Sequence, residues 1–120
     1  MQYSISGRLR SLDYGSKKNI IPVAAIIQKY VKVLRENNLP IWHIYLFGSY
    51  AKGIHRKDSD IDLAVFWDKD TIDGFTEDVQ LFKFTKDVDL RIEPHSFART
   101  DFDRTNPYIN EIIKTGKRVA

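Results

Sequence analysis

From residue 20 onward, apolar side chains recur at Ile20, Val23, Ala24, Ile27, Val31 and Leu34, with Gln28, Lys29, Lys32 and Arg35 between them. Steps of three and four put the first set on one side of a helix and the second on the other, predicting an amphipathic helix over residues 20–37. Asn19 is placed to cap it, Pro22 is tolerated in a first turn, and Asn37-Asn38-Leu39-Pro40 ends it. The pattern then changes to a run of strand formers. Ile41, Trp42, Ile44, Tyr45, Leu46 and Phe47 predict a strand over 41–47, broken by Gly48-Ser49. After a polar loop from His55 to Ser59, a second strand is predicted over 60–67, in which Asp60 and Asp62 alternate with Ile61, Leu63 and Val65. Gly74 to Phe84 reads as a helix with Phe75, Val79 and Phe82 in an apolar stripe, and Val88 to Ile92 as a third strand ended by Pro94. Ser96 to Arg104 reads as a short helix. Asn106-Pro107 opens a last helix whose Ile109, Ile112 and Ile113 face inward and which stops at Gly116. Residues 1–18 alternate only weakly and are read as an N-terminal arm or short strand, leaving 19–120 as a single domain.

Strands alternating with helices predict an α+β sandwich, a small mixed β-sheet flanked by helices. A length of 120 residues suits one modest core and leaves no room for a second lobe of any size. No run of roughly eighteen apolar residues occurs, and the N-terminus lacks a signal peptide's charged start and apolar stretch. With no cysteine, a disulfide scaffold and a cysteine-based zinc site are both excluded. The expectation is a cytoplasmic chain with no membrane association. The net charge of +3 is unevenly spread: residues 1–53 carry eight Lys and Arg against two acids, and residues 54–120 eleven against fourteen. A basic half of this kind reads first as a solvated face. No block of five like charges and no interleaving of arginine with aromatics is present, which argues against a nucleic-acid partner.

The candidate chemistry lies at the ends of the first two strands. Side chains at i and i+2 share a strand face, so Asp60 and Asp62 project together, about 6.6 Å apart along the strand. Like charges that close repel and shift one another's titration unless a cation sits between them, and a divalent metal is the natural cation. On the pair alone, the solvent face of an edge strand is an equal reading. Asp is a poor strand former, however, and the Gly48-Ser49 turn offers backbone N–H groups and a hydroxyl of the kind a phosphate chain needs.

Gly48-Ser49, ten residues, then Asp60-Ile61-Asp62-Leu63 on a strand resembles the signature of the DNA polymerase beta-like nucleotidyltransferase superfamily. The fuller motifs, Gly48 to Gly53 with Ser59 to Leu63, are most similar to its minimal nucleotidyltransferase branch. That family has a third carboxylate flanked by apolar residues on a later strand, and Val88-Asp89-Leu90 matches it. The segment from Asn106 to Gly116 also resembles the family's C-terminal helix. The resemblance covers roughly residues 20–117 and implies the nucleotidyltransferase fold.

It also implies a set of roles. Asp60, Asp62 and Asp89 would be the catalytic metal ligands, holding two Mg²⁺ ions about 3.5–4 Å apart, with Asp89 at the ion that activates the acceptor. Gly48 and Ser49 would cradle the β- and γ-phosphates of a nucleoside triphosphate, expected to be ATP. Lys52 stands where relatives often carry Arg, and a point charge there steers phosphate without a bidentate grip. Arg91 shares a strand face with Asp89 and reads equally as its salt-bridge partner or as a nucleotide contact. His43, His55 and His95 are not spaced as a metal site, and Tyr45, Phe47, Tyr50, Phe66 and Trp67 read as core and rim. Members of the minimal branch act as antitoxins paired with a HEPN-domain toxin, some by adding AMP to the toxin. The expected function is therefore transfer of AMP from ATP to a hydroxyl of a protein partner, in a homo- or hetero-oligomer. The alternatives are a non-catalytic binding antitoxin with a vestigial nucleotide site, and a transferase acting on a small-molecule acceptor.

Overall fold

The computed structural model describes residues 22–120. The N-terminal arm expected over residues 1–18 and the expected cap residue Asn19 lie outside the described residues; the first helix itself begins at Val23, with Pro22 at its N-cap position and no side-chain cap. The elements are α1 (Val23–Glu36), β1 (Ile41–Phe47), α2 (Ser49–Lys52), β2 (Ile61–Trp67), α3 (Phe75–Phe82), β3 (Ile92–Ala98), α4 (Pro107–Thr115) and β4 (Lys117–Arg118), with single 3₁₀ turns at Thr85–Asp87 and Arg99–Asp101. The four strands form one sheet in the order β3-β2-β1-β4. β2 runs antiparallel to β1 and parallel to β3, and β4 closes the other edge antiparallel to β1. The sheet is mixed and flanked by helices, the α+β class that the alternation of elements predicts.

Helices cover both faces of the sheet, which explains why β2 is buried at every position except Asp62. On one face Ile61, Leu63, Val65 and Trp67 pack with Ile27, Tyr30 and Leu34 of α1 and Leu81 of α3. Tyr30 is fully buried there and satisfied, its hydroxyl donating to the Leu81 carbonyl at 2.7 Å, while burial holds its pKa above the ordinary phenol value. On the other face Ala64 and Phe66 meet Ile109 and Ile112 of α4, with Tyr45, Phe47, Phe97 and Phe102 around them. Asn106 caps α4 by accepting from the backbone N–H groups of Tyr108 and Ile109, and Pro107 occupies the first turn. α4 stops at Gly116, where a Cβ would come within 2.8 Å of the Leu46 carbonyl oxygen. That close approach lets the chain turn straight into β4.

Three expectations change. The third strand is not Val88 to Ile92 but Ile92–Ala98, and Pro94 lies inside it. β3 is an edge strand, where one side of the backbone has no ladder partner and a residue without an N–H is tolerated. The segment expected as a helix from Ser96 to Arg104 is instead the end of β3 and a 3₁₀ turn. In α3 the stripe of Phe75, Val79 and Phe82 is exposed, and the helix turns Glu77 and Leu81 inward. Glu77 can be buried because its carboxylate accepts from Lys69 Nζ and from the backbone N–H of Gly74, both at 3.1 Å.

Candidate active site

β1 and β2 are neighbours with Phe47 opposite Asp62, so the turn that follows β1 arrives beside the carboxylate on β2. Gly48 there has φ 74° and ψ −152°, and a Cβ on it would lie 2.5 Å from Asp62 Oδ2. Only glycine fits both the conformation and the contact. The next residues, Ser49–Lys52, form the single turn α2, anchored by the buried ring of Tyr50. Lys52 lies at its end, with Nζ 3.8 Å from Glu111 on α4. Both side chains are about half exposed, so this pair holds neither in place strongly.

Asp60 is exposed and immediately precedes β2, and Asp62 is half-buried on its second residue. Parallel pairing brings Glu93 of β3 into register with Asp62. Burial raises the Glu93 pKa, and the negative charges of Asp60 and then Asp62 raise it further. Glu93 therefore sits in the negative field of both aspartates. His95 follows two residues later on the same strand face, with Nε2 3.4 Å from Asp62 Oδ1. Donor atoms of Asp62, Glu93 and His95 all lie within 4.8 Å of one another. Two oxygens and one nitrogen at that spacing suit a divalent ion.

Neither Asp60 nor Asp89 supplies a donor atom to this group; Asp60 is linked to it by its charge acting on Glu93. Because β3 begins at Ile92, Asp89 falls in the turn before it, where Arg91 holds it: Nη2 donates to Oδ2 at 2.8 Å, Nε to Oδ1 at 3.1 Å and the backbone N–H to Oδ1 at 2.9 Å. These hydrogen bonds from Arg91 hold the Asp89 carboxyl below its ordinary pKa. Of the two readings of Arg91, the structure contains the salt bridge. The same guanidinium donates from Nη1 to the Tyr50 hydroxyl at 3.2 Å and to the Lys57 carbonyl at 2.9 Å. Tyr50 in turn stacks on His55 with ring centroids 4.0 Å apart. Asp89 and Arg91 thus clamp the loop leading to Asp60 onto α2.

Glu93 and His95 carry a signal in the sequence: Ile92-Glu93-Pro94-His95 alternates polar with apolar residues just as Asp60 to Leu63 does. Reading Pro94 as a terminator hides it. His43 lies elsewhere, stacked on Trp42 at 3.9 Å.

Residues 28–120 match the family model described as polymerase beta, nucleotidyltransferase. MJ1379 of Methanocaldococcus jannaschii, named as a candidate protein adenylyltransferase, is 28% identical over 97 residues, covering 81% of this chain and 93% of its own length. The protein adenylyltransferase MntA of Shewanella oneidensis is 49% identical over 46 residues, which are 38% of this chain and 32% of MntA. Among solved structures, a toxin–antitoxin with AMP-PNP superposes with a TM-score of 0.57 at 26% identity, over 81% of this chain and 72% of that one. A toxin–antitoxin MntA–HpeT variant gives 0.53 at 26% identity, over 77% and 69%.

Proposed function

Because the chain belongs to the polymerase beta nucleotidyltransferase family, we propose that it is a metal-dependent protein adenylyltransferase, moving AMP from ATP onto a hydroxyl of a HEPN-type toxin with release of pyrophosphate, and so acting as its antitoxin. The observation that carries the chemistry is the contact between Gly48 and Asp62, which puts a turn suited to phosphate against a carboxylate cluster on the adjoining strands. The names of MJ1379 and MntA favour a protein acceptor, and the superposed toxin–antitoxin structures favour a toxin as that acceptor.

Each residue then has a task. The backbone at Gly48 would approach the β- and γ-phosphates without a side chain in the way, Ser49 would offer its N–H and hydroxyl, and Lys52 would steer the phosphates by charge. Asp60, Asp62 and Glu93 form the carboxylate set, with Glu93 in the role that the sequence pattern assigned to Asp89. Their oxygens suit Mg²⁺, and two such ions would neutralise the triphosphate and make the acceptor hydroxyl a better nucleophile. Asp89 contributes indirectly, through Arg91 and the loop before Asp60.

The test is label transfer from each nucleoside triphosphate, labelled on the α-phosphate, in a lysate of the protein's own host with added Mg²⁺. A protein band labelled from ATP by the native chain and unlabelled by Asp62→Asn is expected, and mass spectrometry of the modified peptide names the acceptor. Label in RNA or in a small molecule would overturn the protein-acceptor reading. Partner capture with no transfer from any nucleotide would assign a binding antitoxin instead.

A further inference from the structure

We propose that His95 is a direct nitrogen ligand of the catalytic ion and that the site consequently takes Mn²⁺ in preference to Mg²⁺. This rests on the reading of Asp60, Asp62 and Glu93 as the metal site and extends it to the choice of metal. β2 and β3 run parallel with Asp62 beside Glu93. Each strand region presents a polar pair two residues apart: Asp60 and Asp62 from one, Glu93 and His95 from the other. A side chain at i+2 shares the face of the one at i, so His95 belongs geometrically to the carboxylate set.

Phe47 packs edge-on against the His95 ring, with centroids 5.3 Å apart, on the side of the strand that leads to Gly48. Nε2 faces Asp62 Oδ1 at 3.4 Å, too long for a strong hydrogen bond between these two groups. The donor atoms of Asp62, Glu93 and His95 all lie within 4.8 Å of one another, near enough for the three side chains to reach a common ion. With about a third of its side chain exposed, His95 is also reachable from solvent. The donor chemistry sets the preference. Mg²⁺ binds oxygen and gains little from imidazole, whereas the divalent transition ions accept it readily.

The full chain is titrated with Mn²⁺ alone, without nucleotide so that no base nitrogen contributes, and pulsed electron paramagnetic resonance reads ¹⁴N coupling to the bound ion. Native protein is expected to show directly ligated ¹⁴N, which His95→Ala and His95→Gln both abolish and His55→Ala retains. Calorimetric competition is expected to show His95→Ala weakening Mn²⁺ about tenfold or more while changing Mg²⁺ less than about threefold. Gln offers an amide oxygen in nearly the same place, so it keeps Mg²⁺ binding. Mn²⁺ that binds in an Asp62-dependent manner without ¹⁴N coupling overturns the role of His95 and leaves the metal site standing. Mn²⁺ binding indifferent to Asp62→Asn overturns both.

Discussion

At Gly48, φ 74° and ψ −152° place the backbone where only glycine is at ease, and the space a Cβ would need holds Asp62 Oδ2. The two constraints are separate, one conformational and one steric. Gly48→Ala is therefore expected to lose about 1–3 kcal/mol of stability from backbone strain alone, measured by denaturant unfolding. It is also expected to lose nucleotide binding, because relief of the clash displaces either the turn or Asp62. A variant as stable as the native protein with unchanged ATP affinity would show that the contact is incidental.

Among the elements, the turn before β3 and the loop before β2 are joined by one guanidinium. Arg91 reaches Asp89, Tyr50 and Lys57 together, so the ends of three elements share one anchor. Asp89→Asn removes the charge that holds it and is expected to cost about 1–2 kcal/mol near neutral pH. The Asp89 pKa is depressed on folding, so its contribution is full above the unfolded-state value of about 4 and is lost as the pH falls through the lower folded value. Chemical denaturation of both proteins from pH 7 to pH 2 should show curves that converge in acid. A gap that stays constant with pH would remove the charge from the explanation. The elements differ in how much of them the sequence discloses. α1 and α4 are legible because each has one clear period and a distinct stop, and β1 and β2 because each is an apolar run of strand formers bounded by polar, proline or glycine residues. β3 is not, since its edge position excuses the proline that elsewhere ends a strand. α3 is placed correctly but faces the unexpected way, because the pairing of Glu77 with Lys69 lets a carboxylate take a core position that periodicity reserves for Phe75 or Val79. β4 has two residues, too few to show any period.

On the scale of the whole molecule, the candidate site exists because the sheet order sets β1, β2 and β3 side by side. Gly48 leaves the first, Asp62 sits on the second and Glu93 on the third, residues 45 apart in sequence from first to last. The ordered Gly-Ser and Asp-x-Asp motifs disclose the first two strands' share, and the family that they point to is the one to which the chain belongs. Which carboxylate the third strand contributes depends on a parallel register that local patterning does not encode, and the proposed choice of Glu93 over Asp89 rests on that register. No helix among the described residues is long and apolar enough to cross a membrane.

The central claim is that Asp60, Asp62 and Glu93, and not Asp89, form the carboxylate set. Metal-dependent ATP binding to Glu93→Gln and Asp89→Asn, measured by titration calorimetry beside Asp62→Asn, tests it most directly. Glu93→Gln is expected to weaken binding about as severely as Asp62→Asn, tenfold or more on the order of a lost metal interaction, while Asp89→Asn stays within about threefold of the native protein. Native-like binding by Glu93→Gln together with loss in a folded Asp89→Asn would contradict the account and return the third carboxylate to Asp89.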